Sequence, residues 1–229
     1  MNQRILTPYQ LHTGRLAKPL RFLIVSDLHD EPFDDLLPLV RDVDAVLVPG
    51  DISDRYHQTF DRGLCFLREC AAIRPTFFAP GNHEIRQKRY EELMGLARET
   101  GAEVLVNRYV PFHDLWIGGW YDPKKVEEPD MMAAFEAQEG VKLLLCHKPE
   151  FYRKYLRGCK VDLTIAGHAH GGQIRIGQQG IYAPGQYLFP RLTKGWAFDG
   201  RLLISAGAGN PCRMPRWNNP CEALLLTVD

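Results

Sequence analysis

The sequence lacks both a charge excess and a long apolar run. Its 28 Lys and Arg residues balance 28 Asp and Glu residues, which argues against the broad basic face of many nucleic-acid-binding proteins. No apolar stretch approaches the roughly 20 residues that a membrane-spanning helix needs. Residues 1–20 show no apolar core of a secretory signal. We therefore expect no transmembrane segment and a location in the cytoplasm.

Paired cysteine motifs, internal repeats and linkers are also missing. The six cysteines form no CxxC pair, so without a secretory signal we expect reduced thiols. No Ser/Gly-rich or low-complexity stretch divides the 229 residues, and this length suffices for one sizeable core. The sequence predicts a single domain over residues 1–229 and carries no signal for its oligomeric state.

Short apolar runs of the β type recur along the chain, and several are separated by helix-type stretches. Runs of this length suit strands that are buried on both faces. They cover residues 21–26, 44–50, 76–81, 115–120, 142–147, 162–168, 201–207 and 222–228. Helices are predicted within residues 34–42, 60–72, 89–99, 130–138 and 150–157.

The order of these elements predicts an α/β fold. Strand–helix alternation in the first half favours parallel βαβ units. After residue 165 the chain is rich in Gly, Pro and short strands, and there we expect antiparallel pairing. The simplest architecture is a four-layer α-β-β-α sandwich, in which two mixed sheets pack together and helices flank them.

Polar side chains follow five of the apolar runs. In an open α/β sheet, ligands bind beyond the carboxyl ends of the strands, so these side chains should meet in one crevice. They are Asp27 and His29, Asp51 and Asp54, Asn82 and His83, His147, and finally His168 and His170. A single His or Asp at a strand end more often caps a turn. The agreement of five runs favours a shared site.

This set of imidazoles, carboxylates and one carboxamide predicts a metal centre. Such N and O ligands suit Mn, Fe, Zn, Co or Ni, and the lack of cysteine argues against a structural zinc site. The set is too large for one ion. Asp51 has two carboxylate oxygens and is a candidate bridge between two divalent ions, about 3.5–4 Å apart in dinuclear sites.

The blocks DLH, GDISD, GNHE, CHKP and GHAH stand in the order of the calcineurin-like metallophosphoesterase superfamily, which the chain resembles over residues 27–170. GHAHGGQIRI and the tail ISAGAGNPCRMPRWNNPCEALLLTVD are similar to one branch of it. That branch includes phosphodiesterases acting on bacterial cell-envelope material and pyrophosphatases of UDP-diacylglucosamine. Its members commonly read GHTHGGQ and Pro-Glu, where this chain has Ala169 and Pro220-Cys221-Glu222.

The resemblance implies two divalent metal ions as cofactors. It assigns Asp27, His29, Asp51 and His170 to one ion, and Asp51, Asn82, His147 and His168 to the other. A water bridging the ions would lose a proton and act as the nucleophile. His83 would be the catalytic acid, stabilising charge and protonating the leaving oxygen. Asp54 and Glu84 would orient the ligands or His83.

Basic side chains beside these blocks are candidates for contacts with an anionic substrate. They are Arg55, Arg86, Lys148 and Arg213, with Arg216 as a further candidate in the same tail turn as Arg213. Arg86, with Lys88 and Arg89, opens a helix-type stretch whose polar face is expected to be charged, which favours a solvated face over substrate contact.

The function predicted from these features is a dinuclear metal-dependent phosphoesterase, with a phosphodiesterase or a pyrophosphatase favoured. Its substrate would be a phosphorylated small molecule, a nucleotide-linked compound or envelope material. One alternative is a catalytically weak or inactive scaffold of the same fold, which the retention of every ligand disfavours. The other is a metal-dependent nuclease, which the zero net charge and the lack of aromatic–basic interleaving disfavour.

Overall fold

The computed structural model describes residues 4–211 and 214–229. The strands are β1 (Ile5–Leu11), β2 (Leu20–Ile24), β3 (Ala45–Val48), β4 (Thr76–Phe78), β5 (Glu103–Val104), β6 (Arg108–Phe112), β7 (Leu115–Gly119), β8 (Val141–Leu145), β9 (Leu163–Ala166), β10 (Arg175–Ile176), β11 (Gln179–Gly180), β12 (Tyr182–Ala183), β13 (Tyr187–Leu188), β14 (Gly195–Ala197), β15 (Leu202–Ile204) and β16 (Glu222–Val228). The α-helices are α1 (Leu37–Val40), α2 (Asp61–Ile73), α3 (Asn82–Ile85), α4 (Tyr90–Arg98), α5 (Met132–Glu136) and α6 (Pro149–Phe151). A π-helical turn, Tyr152–Leu156, continues α6, and a 3₁₀ turn spans His170–Gly172.

Two six-stranded mixed sheets dominate the fold. The first has the order β1-β16-β2-β3-β4-β5, in which β2, β3, β4 and β5 run parallel and β16 is antiparallel to β2. The second has the order β14-β15-β9-β8-β7-β6, in which β7, β8, β9 and β15 run parallel. The parallel strands of each sheet therefore end on one side, where their connecting loops gather.

The sheets pack face to face, and helices cover their outer faces. Phe22 and Leu47 of the first sheet share a buried cluster with Leu143 and Ile165 of the second. Leu23, which points the opposite way along β2, packs in a separate cluster that contains residues of α2 and α4. A third cluster joins the second sheet to α5 and the π-helical turn. The predicted four-layer α/β sandwich is confirmed.

Helix α2 shows how the sequence builds an outer layer. Leu64, Phe66, Leu67 and Cys70 recur at helical spacing and are buried, as expected for an amphipathic helix on a sheet. Burying each such apolar side chain contributes about 1.5–3 kcal/mol. The polar face of the helix remains exposed, so α2 is held in place mainly by this stripe.

The prediction of antiparallel pairing after residue 165 was wrong for two strand pairs. Strand β15 lies parallel to β9, and β16 lies parallel to β1. Strand β14 runs antiparallel to β15 and returns the chain to the end of the sheet where β9 begins. Among the described residues after 165, the antiparallel pairs are β10–β11, β12–β13, β14–β15 and β16 with β2.

Eight strands have no counterpart among the predicted apolar runs; they are β1, β5, β6 and β10 to β14. Two of them, β1 and β6, are half-exposed edge strands that contain Pro8 and Pro111. Proline is tolerated in an edge strand because no ladder hydrogen bond is lost on the open side. The same proline lowers the strand signal in the sequence, which explains why both were missed.

Within the described ranges, no helix is long and apolar enough to cross a membrane. The five cysteines that the structure describes are all free thiols.

Candidate metal centre

The polar blocks lie where the two sheets meet. Strands β2, β3 and β4 of the first sheet and β8 and β9 of the second deliver the five loops to one place. His147 Nδ1 donates to the Pro49 carbonyl at 2.7 Å, and His168 N donates to the Asp27 carboxylate at 3.0 Å. The strand ends of a single open sheet were expected to form the site. It instead straddles both sheets, so their packing sets its geometry.

Three groups of ligand atoms converge there, each with its atoms within 4.8 Å of one another. The groups are Asp27–His29–His170, Asp51–His147–His168 and His29–Asp51–His83. Asp51 belongs to two of them and is almost fully buried. It therefore lies between the ligands expected for one ion and the ligands expected for the other.

The backbone at this centre is strained. Five of the seven candidate ligands have positive φ, with values from 46° to 68°; these are Asp27, His29, Asp51, His168 and His170. Non-glycine residues rarely adopt this region, and each instance costs about 1–3 kcal/mol. Such strain concentrates at functional sites because the surrounding structure must hold side chains in one direction.

The donor atoms present fit divalent metal ions. Asn82 Oδ1 and His147 Nε2 are buried and have no hydrogen-bond partner among the described residues. The His147 nitrogen lies 3.0 Å from Asp51 Oδ2. His29 Nε2 and His170 Nε2 lie within hydrogen-bond distance of each other, at 3.3 Å. A buried acceptor without a donor, such as Asn82 Oδ1, is what a cation would satisfy.

The pKa shifts of most of these groups favour the protonation states that metal binding needs. Burial lowers the pKa of His29 and His168 well below the ordinary value, and that of His170 to about 4. Burial alone would raise the pKa of Asp51, but the facing His147 imidazole holds it well below its usual value. His147 is the exception: burial is outweighed by Asp51, and its pKa rises to about 9. Metal ligation needs neutral imidazoles and ionised carboxylates.

Glu84 ties two of the ligand loops together. Its fully buried carboxylate accepts hydrogen bonds from Asp51 N at 2.8 Å, Gly81 N at 2.7 Å, and Ser53 N and Oγ at 2.9 and 2.7 Å. Hydrogen bonds to a charged group are each worth about 1.5–3 kcal/mol. Glu84 thus holds the turn after β3 against the turn after β4.

Asp54 orders a neighbouring turn. It accepts a hydrogen bond from Tyr56 N at 2.8 Å and lies 2.6 Å from His57 Nδ1. Its other contact, Oδ1 to His83 Nδ1, is 3.9 Å, too long for a hydrogen bond. In this structure Asp54 therefore shapes the turn beside His83 and does not bond His83 directly. His57 was not singled out by the sequence.

His83 belongs to one of the three clusters, and its contacts hold its ring in place. Its backbone N donates to Asp51 Oδ1 at 2.7 Å, and its ring centroid lies 4.4 Å from that of His29. The backbone N–H of Arg55 donates to His83 Nδ1 at 3.3 Å. The neutral ring then carries its proton on Nε2.

Gly81 is required by close approach rather than by flexibility. A Cβ at this position would overlap Asp51 Oδ1 and lie 2.7 Å from Asp51 N. We expect Gly81→Ala to displace Asp51 and lower metal affinity at least tenfold, measured by equilibrium dialysis. Gly95→Ala is the matched control, because nothing lies within 4 Å of its Cβ position in α4. That control should bind metal normally and fold with equal or slightly greater stability. Unchanged metal affinity in Gly81→Ala would contradict this packing argument.

A cavity of about 320 Å³ opens beside the centre. Its lining includes Asp51, Asn82, His83, His168 and His170. Three of the four predicted substrate contacts, Arg55, Arg86 and Lys148, also line it. The fourth, Arg213, lies outside the described residues. Arg89 instead pairs with Glu92 on the exposed side of α4.

Sequence reasoning missed part of the cavity wall. Pro184, Gly185 and Tyr187 form one side, and Tyr56 contributes to another. No motif marks them, because segment 171–200 reaches the cavity only through the tertiary fold. Arg216, considered from its place in the tail turn, lies against the centre. Its Nη2 is 3.1 Å from His170 Nδ1 and donates to the Gly209 carbonyl at 2.6 Å.

The sequence model of the calcineurin-like phosphoesterase family matches residues 20–172 of this chain. This span covers two thirds of the chain and includes all seven candidate metal ligands and His83. The chain therefore belongs to the calcineurin-like phosphoesterase family, whose members use divalent metal ions.

Relatives in three bacteria agree with this membership. The chain is 29% identical to the uncharacterized protein YpbG of Bacillus subtilis, over 86% of this chain and 78% of that protein. It is 26% identical to an uncharacterized metallophosphoesterase of Helicobacter pylori, over 87% of this chain and 57% of that protein. It is 28% identical to phosphodiesterase YaeI of Escherichia coli, over 70% of this chain and 64% of that protein. The chain thus spans less than two thirds of the length of the last two.

Proposed function

We propose that this protein is a dinuclear metal-dependent hydrolase of phosphate diesters or pyrophosphates. The observation that carries the proposal is the position of Asp51. Its carboxylate shares one ligand cluster with His147 and His168 and another with His29, and it also lines the cavity. A buried carboxylate shared in this way suits the bridge of a two-metal site.

The residues would divide between two ions around Asp51. Asp27, His29 and His170 complete one ligand set, and Asn82, His147 and His168 complete the other. When bound, two divalent ions polarise phosphoryl oxygens and lower the pKa of water. The ligand set fits Mn, Fe, Zn, Co or Ni.

The proton for the leaving oxygen would come from His83. The backbone N–H of Arg55 donates to His83 Nδ1, so the proton of the neutral His83 ring is on Nε2. His83 lines the cavity and is within reach of a group that is bound there. Placing a proton at the leaving oxygen contributes typically 10²–10⁴-fold to rate.

The cavity suits a phosphate that carries an organic group on each side. Arg55, Arg86 and Lys148 supply positive charge at the wall, and the exposed rings of Tyr56 and Tyr187 flank it. The phosphodiesterase name of the YaeI relative and the GHAHGGQ block both favour diesters over monoesters. We therefore propose a nucleotide-linked compound or an envelope phosphodiester or pyrophosphate as the substrate.

Arg86 and Arg89 form a matched pair for testing substrate contact. Both are exposed arginines three residues apart, but only Arg86 lines the cavity, whereas Arg89 pairs with Glu92. We expect Arg86→Ala to raise KM for a diester about tenfold, because a charge-assisted hydrogen bond to phosphate is lost. Arg89→Ala should leave KM unchanged. Equal effects from both variants would remove Arg86 from the substrate site.

The proposal is tested by comparing bis-p-nitrophenyl phosphate with p-nitrophenyl phosphate. Metal-stripped protein would be assayed alone and after separate addition of Mn, Zn, Co or Ni. Faster diester cleavage that depends on added metal is the expected result. Faster monoester cleavage would replace the diesterase assignment with a phosphatase. If neither these esters nor a nucleotide-sugar pyrophosphate is cleaved with any metal, the protein is a non-catalytic scaffold and the proposal fails.

A further inference from the structure

An exposed apolar run adjoins the cavity mouth. Tyr187, Leu188 and Phe189 are consecutive and are 71%, 67% and 64% exposed. Single exposed apolar residues are common on protein surfaces, but contiguous ones mark sites of interaction. Tyr187 also lines the cavity, so the run begins at the edge of the proposed active site.

Two further exposed side chains extend this surface. Ile176 is 65% exposed and Trp217 is 60% exposed. Trp217 pairs with Ile174 in a parallel bridge, so it points to the same side as Ile174 and, two residues along the strand, Ile176. We call Ile176, Tyr187, Leu188, Phe189 and Trp217 the apolar patch.

Backbone hydrogen bonds tie the three segments of the apolar patch together. Phe189 N donates to the Ile181 carbonyl at 2.9 Å, and Ile181 N donates to the Ile174 carbonyl at 2.8 Å. Arg175 N donates to the Trp217 carbonyl at 3.0 Å. The patch is therefore assembled by the fold and is not a set of unrelated loops.

The hairpin that presents the run is also fixed in an unusual conformation. Leu192 N donates to Gln186 Oε1 at 2.9 Å, and Gln186 Nε2 donates to the Leu192 carbonyl at 2.7 Å. Tyr187 and Phe189 have φ values of 59° and 52°, a region that large side chains rarely adopt. The anchored hairpin thus exposes two aromatic side chains, and its backbone is strained where it does so. Backbone strain of this kind concentrates at functional sites.

The charge around the apolar patch indicates which kind of partner it binds. Residues 171–198 contain no Asp or Glu, and their basic residues are Arg175, Arg191 and Lys194. Arg191 is exposed next to the run. Arg175 is buried and Lys194 pairs with Glu222, so Arg191 supplies the exposed charge. Glu150 lies against Gly185 at the base of the hairpin, and the segment itself carries no carboxylate. An apolar, aromatic surface with an exposed basic neighbour matches the interface of an anionic bilayer, where Trp and Tyr are favoured and basic residues are attracted. A second copy of the patch would offer no carboxylate to Arg191.

We propose that the apolar patch docks the protein peripherally on the surface of a lipid bilayer that contains anionic lipids, with the cavity mouth beside the membrane. None of the five patch residues is a candidate metal ligand, so metal-free protein can test the proposal. The docking proposal can therefore fail while the proposed hydrolase function stands, and the reverse also holds.

Co-sedimentation with vesicles tests the proposal directly. The protein would be mixed with vesicles of phosphatidylcholine alone or with phosphatidylglycerol, and its partition coefficient measured. We expect binding to the mixed vesicles, weaker binding to phosphatidylcholine alone, and a loss of tenfold or more in L188S/F189S. I5S/L6S is the control, because these residues are 42% exposed on the edge strand β1. Equal losses in both variants, or no binding by the unaltered chain, would overturn the proposal.

Fluorescence quenching by brominated lipids tests which surface faces the bilayer. Trp217 belongs to the apolar patch, whereas Trp196 is 38% exposed and packs its ring on Tyr9. Quenching should disappear in Trp217→Phe and persist in Trp196→Phe. The reverse pattern would place another face on the membrane. Light scattering completes the test: a dimer of the unaltered chain that becomes monomeric in L188S/F189S would identify the patch as a self-association surface and overturn membrane docking.

Discussion

Replacing Asp51 with alanine is expected to abolish binding of both metal ions and to reduce turnover to the background rate. The carboxylate contributes to two ligand clusters, and its Oδ1 also accepts the backbone N–H of His83. Its removal therefore takes a ligand from each proposed ion and a positioning contact from the acid. Metal content measured by mass spectrometry after dialysis is the direct readout.

Two comparisons make the Asp51 result specific. Asp34→Ala removes an exposed carboxylate outside the centre and should retain both ions. Asp51→Asn keeps the side-chain shape but removes the charge, and it should also lose metal because a neutral amide offsets the repulsion between two cations less than a carboxylate does. An Asp51→Ala protein that still binds two ions would contradict the bridging role.

Replacing His83 with alanine is expected to leave both ions bound and to lower turnover by about 10²–10⁴-fold. The loss should be greater for substrates with alkoxide leaving groups than for p-nitrophenyl esters, because a good leaving group needs little help from an acid. His113→Ala is the control, since His113 is exposed and lies outside the five blocks.

The His83 variant also separates two interpretations of the structure. His83 forms a cluster with His29 and Asp51 whose atoms lie within 4.8 Å of one another, so geometry alone also permits a ligand role. If His83→Ala loses a metal ion, His83 is a ligand and not the acid. A full rate on an alkyl diester would likewise reject the acid assignment.

The residues that gather at the centre were predictable because each block follows an apolar run that became a strand. Asp27 follows β2, Asp51 follows β3 and His147 follows β8, and parallel strands of a sheet end on one side. Which sheet each strand joins was not predictable. The contact between His147 and Pro49 crosses from one sheet to the other, and no local pattern encodes it.

Several residues of the cavity wall could not be predicted from local sequence patterns. Gly185 and Tyr187 reach the cavity from a segment whose short hairpins have no strong periodicity. Arg86 was predicted as a substrate contact and Arg89 was not, although both open the same charged stretch. The fold places Arg86 at the cavity and pairs Arg89 with Glu92. Asp54 was expected near His83, but its close partner, His57, follows from the conformation of a turn.

Anomalous diffraction can show whether two divalent ions lie on either side of Asp51. Crystals grown with Mn²⁺ would be measured above and below the manganese edge. We predict two anomalous peaks per chain, about 3.5–4 Å apart, one beside Asp27, His29 and His170 and the other beside Asn82, His147 and His168. A single peak, or peaks away from Asp51, would contradict this prediction.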